Sequence, residues 1–234
     1  MTFSKLEIMD IYQRRARRYD LTSRLYWLAG FPLDRYRRLA VRALNLKRGD
    51  TVVEIGCGTG ANFKALHEAV GGEGCIVGVD ASAEMLEQAR RRIERHGWRN
   101  VEYYQGDAGD WSFPERVDGV LSTFALTLMP EYEDVLTRGA DALTIGGRFV
   151  ILDFREPGNW PRWLVRLWAW ASRPFGVTLD LAERRPWLCM YSDFSPVRIR
   201  SLYFGLAYLA VGESPDGRES VSGEGLSGTR RITG

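Results

Sequence analysis

A β-branched run that ends in closely spaced glycines constrains the fold of this chain more than any other feature. Residues 51–55 read Thr-Val-Val-Glu-Ile and lead into Gly56, Gly58 and Gly60, and a helical pattern follows at 61–70. Glycine permits a tight turn and lets a ligand approach the backbone closely. The first turn of the next helix offers N–H groups that have no partner within the helix. The pattern therefore predicts a strand–loop–helix unit that binds a nucleoside-like ligand.

The alternation of strand and helix continues beyond this unit. Four further strands are predicted at 75–80, 101–105, 117–122 and 147–153. Helical patterns at 82–96 and 131–143 lie between them, and Ser82 can cap the first of these helices. Such alternation predicts a parallel sheet with helices on both faces. The aromatic, β-prone stretch 201–211 is expected to close the sheet with antiparallel strands.

Composition narrows the class of protein. With 234 residues, 45% of them hydrophobic, the chain can bury one sizeable α/β core. Its net charge of +2 is too small to argue for nucleic acid as a partner. The three cysteines (57, 75 and 189) lack metal-ligand spacing, so we expect buried thiols in a reducing compartment and no metal site. No secretory signal or run of 18 apolar residues occurs, which favours a cytoplasmic protein, with peripheral membrane association left open.

Three acidic residues stand beside predicted strand ends. Glu54 lies two positions before the first glycine, Asp80 ends the second strand, and Asp107 follows the third. Asp80 alone could cap a helix and Asp107 alone could sit in a turn. The glycine spacing G-x-G-x-G differs from the G-x-G-x-x-G of dinucleotide-binding loops, which argues against a pyrophosphate ligand. Ligands bind at the carboxyl ends of such strands, so the three residues together predict one site.

These elements resemble the motifs of class I S-adenosylmethionine (SAM)-dependent methyltransferases. Residues 53–60 resemble the first motif of that family. The resemblance implies SAM as the cofactor, with Asp80 on the ribose hydroxyls and Asp107 on the adenine amino group. It also implies a Rossmann-like, mostly parallel sheet of seven strands. The full set of expected cofactor contacts is Glu54, Gly56, Cys57, Gly58, Gly60, Asp80, Ala81, Met85, Asp107, Ala108, Ser122, Thr123 and Phe124.

The N-terminal region carries a second resemblance. Residues 12–22 resemble the Tyr-Asp signature of the ubiquinone/menaquinone methyltransferases and of bacterial phosphatidylethanolamine N-methyltransferases. In those relatives a helical segment here covers the cofactor and lines the acceptor pocket. The resemblance makes Tyr19 the candidate catalytic residue, with Tyr12 and Tyr26 as weaker candidates for substrate contact. Plain packing of the three tyrosines onto the domain is the alternative.

A tryptophan-rich helix is predicted at 159–173. Trp160, Trp163 and Trp168 share one face, and arginines lie on the other. Tryptophan opposite arginine is typical of a helix in a membrane interface, which raises an anionic membrane surface as a partner. The alternative is a helix that buries its tryptophans against the domain.

The acceptor follows less directly from the sequence. The two histidines, His67 and His96, lie in helical positions that favour packing over catalysis. A hydroxyl or carbon acid usually needs a base, so an amine acceptor is favoured, such as an amine-bearing lipid head group. The alternatives are C- or O-methylation of a prenylated quinone or another apolar small molecule, and a non-catalytic SAM-binding module. Because 122–125 reads Ser-Thr-Phe-Ala in place of an Asn-Pro-Pro-Tyr motif, DNA-adenine and protein-glutamine acceptors are not expected.

The same patterns divide the chain into segments. Residues 1–46 are expected to form a helical cap or lid, and 47–212 the cofactor domain with the helix 159–173 inserted. Glycine, serine and charged residues dominate from 213 to 234. That tail is expected to be disordered because it has too little apolar surface to bury.

Overall fold

The computed structural model describes residues 31–158, 160, 161, 163 and 184–215. Helices and strands are numbered within this part of the chain. The strands are β1 Thr51–Ile55, β2 Cys75–Asp80, β3 Val101–Gln105, β4 Val117–Thr123, β5 Leu143–Phe154, β6 Val197–Leu202 and β7 Ala207–Glu213. The helices are α1 Leu33–Ala43, α2 Phe63–Val70, α3 Ala83–His96, α4 Tyr132–Ala142 and α5 Pro186–Asp193, with 3₁₀ turns at Leu126–Leu128 and Tyr203–Gly205.

The seven strands form one sheet in the order β3-β2-β1-β4-β5-β7-β6. The first five strands along the chain pair in parallel, and β7 pairs antiparallel with both β5 and β6. This is the mostly parallel, Rossmann-like sheet that the sequence predicts. The strand order reverses direction between β1 and β4, so a crevice opens at their carboxyl ends, where ligands bind in such sheets.

Both faces of the sheet are covered by helices. Val53 and Ile55 of β1 point into a core that includes α4 residues such as Leu136. Val52 points into the opposite core, which includes α1, α2 and α3 residues such as Leu66. Burial on both faces explains why the strands read as nearly continuous apolar runs rather than as alternating ones.

The predicted element boundaries agree with the structure to within a few residues, with some exceptions. The strand predicted to begin at 147 begins at Leu143. The helix predicted from 61 begins at Phe63 because the glycine loop occupies the preceding positions. The stretch 201–211 holds parts of two strands, since Tyr203 and Phe204 adopt positive φ angles and break the run.

Several segment predictions fall partly outside the described residues. Residues 1–30, most of 159–173 and 216–234 lie outside them. The strand β7 ends at Glu213, one residue after the predicted boundary at 212. Within the described residues, no helix is long and apolar enough to cross a membrane.

The three cysteines are free thiols, but they are not uniformly buried. Cys57 is buried beneath the glycine loop. Cys75 opens β2 and Cys189 lies on the short helix α5, and both are partly exposed, contrary to the sequence prediction. An apolar neighbourhood in sequence does not reveal that an element's end reaches the surface.

Candidate cofactor-binding site

A cleft opens at the carboxyl edge of the sheet, across the ends of β3, β2, β1 and β4. The residues of the predicted set that line it are Gly56, Cys57, Gly58, Asp80, Ala81, Met85, Asp107, Ala108, Thr123 and Phe124. Residues outside the predicted set also line the cleft, among them Arg37 of α1 and Leu128 and Met129 after β4. Glu54, Gly60 and Ser122 of the predicted set do not line it. Gly60 packs against the Phe63 ring, and Ser122 is fully buried within the sheet.

The glycine loop begins as a continuation of the sheet. The backbone N–H groups of Gly56 and Cys57 donate to the Val79 carbonyl at 2.8 and 3.0 Å. A Cβ on Gly56 would lie 2.3 Å from the Ala125 Cβ, so close packing requires glycine there. Gly58 has a φ of +54° and nothing within 4 Å of its Cβ position. The loop therefore leaves open space above Gly58 for a ligand to approach the backbone.

Asp80 ties the glycine loop to the start of α3. Its two carboxylate oxygens accept separate backbone hydrogen bonds, from Gly58 N at 2.8 Å and from Ser82 N at 2.9 Å. Desolvation by burial raises the pKa of Asp80 above its usual value, although both hydrogen bonds oppose the shift. A carboxylate has about four lone-pair directions, so two more donors can be accepted. Two ribose hydroxyls would supply them.

The predicted cap of α3 is present. The Ser82 hydroxyl accepts from Met85 N at 3.2 Å. This cap fixes the first turn of α3, which brings Ala81 and Met85 to the cleft wall.

Asp107 opens a short loop after β3. One of its carboxylate oxygens accepts from Gly109 N at 2.9 Å, which turns the chain back toward the cleft. Arg138 of α4 holds the same loop from below, because its guanidinium donates to the carbonyl oxygens of Ala108, Gly109 and Trp111 at 2.9, 2.5 and 2.8 Å. No signal in the sequence links Arg138 to this loop, since the two are distant in the chain and the pairing is made by the fold.

A buried polar group at the end of β1 lies next to the cleft residue Asn62. Glu54 is 1% exposed, and its Oε1 accepts from the Asn62 side-chain amide at 2.5 Å. The same amide donates to the Thr123 hydroxyl at 2.9 Å. Desolvation raises the pKa of Glu54 to about 8, against the opposing effect of the Asn62 hydrogen bond. Glu54 is therefore mostly protonated at neutral pH in the free protein.

Three polar atoms at this end have no hydrogen-bond partner among the described residues. They are Glu54 Oε2, Asn62 Oδ1 and Arg37 Nε. Buried polar atoms in native proteins are normally paired. Unpaired acceptors beside an unpaired donor match the ammonium and carboxylate of an amino acid.

Three groups of polar side chains therefore lie in order along this edge of the sheet. Asp107 stands at β3, Asp80 at β2, and Glu54 with Asn62 at β1. SAM is a linear molecule of adenine, ribose and methionine, in that order. The residues present fit this cofactor, with an acceptor for the adenine amino group, acceptors for the ribose hydroxyls and unpaired polar atoms for the methionyl end.

Comparisons with known proteins agree with this geometry. Residues 52–147 match the family model described as "Methyltransferase domain". They span β1 to β4 and the beginning of β5, with the connecting loops that carry the cleft residues from Gly56 to Pro130. Residues 52–147 form a class I SAM-dependent methyltransferase domain.

Curated relatives align with this enzyme over different lengths. The aklanonic acid methyltransferase DauC of a Streptomyces species is 38% identical over 101 residues, which cover 43% of this chain and 46% of that relative. The demethylmenaquinone methyltransferase of Anoxybacillus flavithermus is 26% identical over 203 residues, covering 78% of this chain and 86% of that relative. The chain thus spans about half of the first relative and most of the second.

Solved structures share the fold. A SAM-dependent methyltransferase from Aquifex aeolicus superposes with a TM-score of 0.56 at 18% identity, covering 76% of this chain and 89% of that one. A methyltransferase from Haloferax volcanii, solved with its Trm112 activator, gives a TM-score of 0.63 at 19% identity over 91% of this chain and 99% of that one. At this level of identity the likeness shows the fold alone.

An aromatic strip continues from the cleft where β4 ends. We define it as the five rings of Phe124, Phe154, Phe31, Tyr203 and Phe204. Successive ring centroids are 4.7, 5.5, 4.9 and 5.5 Å apart. Phe124 lines the cleft, and Phe204 is 82% exposed. The strip therefore connects the cleft to the surface through contacts between aromatic rings.

Phe124 holds an unusual backbone conformation at the start of this strip. Its φ is +57°, in the left-handed region that favours glycine. Its N–H donates to the Leu152 carbonyl at 2.7 Å, which holds the residue in place. Backbone strain of this kind concentrates at functional sites, where it re-aims a side chain. Here it turns the Phe124 ring into the cleft.

The segment after Phe124 is held by a buried carboxylate. Asp153, at the end of β5, accepts from Thr127 N at 3.0 Å and from the Thr127 hydroxyl at 2.8 Å. Burial raises the pKa of Asp153 to about 6. These bonds fix the 3₁₀ turn that carries Leu128 and leads to Met129, both in the cleft wall.

The two histidines lie away from the cleft. His67 bonds Asn100 at 2.9 Å and His96 stacks on Trp98 with centroids 4.5 Å apart. Asn100 directly precedes β3, so this cluster lies at the amino edge of the sheet, away from the cleft. The two histidines have packing positions, as the sequence suggested. Among the described residues, no group of His, Cys, Asp and Glu could hold a metal ion.

Of the predicted substrate and membrane residues, Trp160 and Trp163 are among the described residues. Tyr12, Tyr19, Tyr26 and Trp168 lie outside the described residues. The Trp160 indole donates to the Phe204 carbonyl at 3.1 Å, and Trp163 is 66% exposed.

Replacement of Arg138 by methionine is expected to weaken S-adenosylhomocysteine (SAH) binding by about 10-fold, because the loop carrying Asp107 would have to be ordered on binding. Calorimetric titration measures the affinity, and amide hydrogen exchange at Gly109 and Trp111 should become faster. Arg91→Met is the matched control, since Arg91 contacts only the neighbouring Glu87 on the exposed face of α3. An unchanged SAH affinity in Arg138→Met would show that the clamp does not support the site.

Proposed function

We propose that this enzyme transfers the methyl group of SAM to a carbon or oxygen atom of an apolar ring compound, such as a prenylated quinol. The observation that carries the proposal is the aromatic strip, which begins at Phe124 in the cleft wall. Aromatic rings form an apolar wall that suits another ring by offset or edge-to-face contact. Four of the five side chains of the strip are phenylalanines without a polar atom, so the strip suits a charged phosphoethanolamine head group less well.

Methyl transfer requires that the acceptor atom is positioned against the methyl group and that water is excluded. SAM, when bound, supplies a methyl group on a sulfonium sulfur, and the acceptor atom attacks it in line. The new bond forms between the acceptor and the methyl carbon, the electron pair of the broken bond returns to sulfur, and the acceptor loses a proton. Phe124, Leu128 and Met129 would shield this reaction from water.

The described residues offer little general base at the cleft. The ionisable residues that line it are Arg37, Cys57, Asp80 and Asp107. Burial raises the pKa of the Cys57 thiol well above its usual value, which keeps it uncharged. Asp80 and Asp107 are assigned to the cofactor. An acceptor with an acidic hydroxyl of its own, such as a quinol, fits this arrangement because its proton can leave without a strong base.

The names of the curated relatives support the same proposal. They act on aklanonic acid and on demethylmenaquinone. Sequence reasoning favoured an amine-bearing lipid head group, and no curated relative described above is named for such a substrate. We therefore place the apolar ring compound first and retain the aminolipid as the competing acceptor.

A membrane surface could deliver such an acceptor. The exposed rings of Trp163 and Phe204 belong to the same region as the end of the strip, since the Trp160 indole bonds the Phe204 carbonyl. Aromatic side chains favour the boundary between water and lipid. We include contact of this region with a lipid surface in the proposal.

Methyl transfer from labelled SAM is the test. We expect label in a detergent-solubilised prenylated naphthoquinol and none in vesicles of phosphatidylethanolamine. Phe154→Ala should raise the KM for the quinol about 10-fold, because a lost aromatic contact and the cavity left behind weaken acceptor binding. Its SAH affinity should stay unchanged.

Ile145→Ala serves as the matched control, because Ile145 lies at the other end of β5 and is 66% exposed. Labelling of phosphatidylethanolamine without labelling of the quinol would overturn the proposal in favour of the aminolipid.

A further inference from the structure

Arg37 is the one cation among the described residues that line the cofactor cleft. It lies on α1, ahead of the glycine loop. Leu33, Tyr36, Ala40, Val41 and Leu44 share its face of the helix at helical spacing, and most of that face is buried against the sheet. Arg37 therefore interrupts an apolar face, and its side chain points toward the sheet rather than toward solvent.

The position of Arg37 is fixed by its surroundings. Ala40 and Val41 are buried one turn further along the helix. The Arg148 guanidinium donates to the Ala43 carbonyl at 3.2 Å and anchors the end of α1 to β5. The Tyr36 ring packs against Phe31 with centroids 5.3 Å apart. A side chain on such an anchored helix is preorganised for a ligand.

The guanidinium lacks a matching anion in the described structure. Its Nε atom is buried and has no hydrogen-bond partner among the described residues. An arginine stays charged at all physiological pH values, and a buried donor without a partner is costly. The nearby carboxyl group of Glu54 does not serve as the anion at neutral pH, because desolvation raises its pKa to about 8 even though the charge of Arg37 opposes the shift.

The direction of the cofactor then identifies the missing anion. In the orientation that the sequence predicts, adenine lies toward Asp107 and ribose toward Asp80, which puts the methionyl group toward β1 and β4. The α-carboxylate of that group is the one anionic group of SAM. Asn62 Oδ1 is an unpaired acceptor, and so is Glu54 Oε2 once Glu54 is ionised, and both suit the α-ammonium instead.

We propose that Arg37 binds the α-carboxylate of the methionyl group of SAM, and that it is a specificity-determining residue for an intact amino-acid end on the cofactor. The inference rests on the cofactor and the cleft, and it is independent of the identity of the acceptor. Arginine recognises a carboxylate through short, charge-assisted hydrogen bonds that lysine reproduces only in part.

The test compares two ligands that differ in this carboxylate alone, SAM and decarboxylated SAM, by calorimetric titration. Wild-type enzyme should bind SAM about 10- to 100-fold more tightly than decarboxylated SAM. Arg37→Met should lose the same factor for SAM and almost none for decarboxylated SAM, so that it binds both ligands equally. This is the coupling that a double-mutant cycle isolates. Arg37→Lys should recover part of the preference.

Arg38→Met is the control, because Arg38 is exposed on the same helix and should leave both affinities unchanged. Equal binding of the two ligands by wild-type enzyme would overturn the proposal without any variant. An equal loss for both ligands in Arg37→Met would also overturn it, since that outcome indicates a distorted cleft. Loss of SAH binding by wild-type enzyme would instead contradict the cofactor assignment.

Discussion

Replacement of Asp80 by asparagine should weaken SAH binding by about 100-fold or more, because at least one charge-assisted hydrogen bond is lost and a donor clash is added. The carboxylate of Asp80 accepts from Gly58 N and from Ser82 N with different oxygens. An asparagine has one oxygen, so its amide N–H group must face one of these backbone donors. The glycine loop or the start of α3 then shifts, and a ribose hydroxyl loses its acceptor.

Calorimetric titration with SAH measures this loss, and Asp110→Asn is the matched control. Asp110 is exposed on the loop after Asp107. The control should bind SAH like the wild type. A wild-type SAH affinity in Asp80→Asn would show that the carboxylate does not hold the ribose.

Replacement of Glu54 by glutamine should remove a pH dependence of cofactor binding. In the free enzyme the pKa of Glu54 is about 8 because of desolvation. An ammonium group arriving beside it favours the ionised form and lowers that pKa. Wild-type affinity should therefore rise with pH up to about 8, with up to about one proton released per cofactor bound at neutral pH.

Proton release can be measured by titration with SAH in buffers of different ionisation enthalpy. Glu54→Gln should release fewer protons than wild type and bind SAH about 10-fold or more weakly near pH 8, since a charged partner is lost. Glu68→Gln is the control, because Glu68 is exposed on α2 and only approaches Lys64 at 4.0 Å. Equal proton release by wild type and Glu54→Gln would contradict the assignment of Glu54 to the ammonium.

Replacement of Glu54 by glutamine should stabilise the free enzyme near pH 8, although it weakens cofactor binding. The folded-state pKa of Glu54 is raised from 4.5 to about 8, so the folded chain keeps a proton that the unfolded chain has released over this range. Stability therefore falls as pH rises through the window, and the whole penalty is present above about pH 8. Without ligand, Glu54→Gln should melt several degrees higher than wild type near pH 8 and at a similar temperature near pH 5.

The sequence predicted the part of the site that is continuous with strand ends. Gly56 directly follows β1, Asp80 is the last residue of β2, and Asp107 lies two residues after β3, and a parallel sheet brings such strand ends to one edge. Their positions therefore follow from local pattern plus one topological rule. The central strands were predicted for the same reason, because they are buried on both faces and read as apolar runs.

Residues that act across the fold could not be predicted in this way. Arg138 reaches the loop after β3 from a helix that is distant in sequence, and only tertiary packing brings the two together. The aromatic strip joins Phe31 to Tyr203 and Phe204 from opposite ends of the described chain. The short helix α5 was missed because it is half-apolar and has no side-chain cap.

The role of Arg37 could be predicted from the sequence only in part. Its charge on an otherwise apolar helix face is visible in the sequence at helical spacing. The face of a helix indicates burial, but it does not show which end of which cleft the side chain enters. A charged residue on an apolar face near a ligand loop is therefore the signal that could have found it.

A crystal structure of the SAH complex is the most direct test of the direction in which the cofactor lies in the cleft. We expect the adenine amino group within hydrogen-bond distance of Asp107, the ribose hydroxyls within that distance of Asp80, and the methionyl carboxylate within that distance of Arg37. The sulfur should face Phe124 and the aromatic strip. A nucleoside bound in the reverse direction, with adenine beside Arg37 and Glu54, would contradict this orientation.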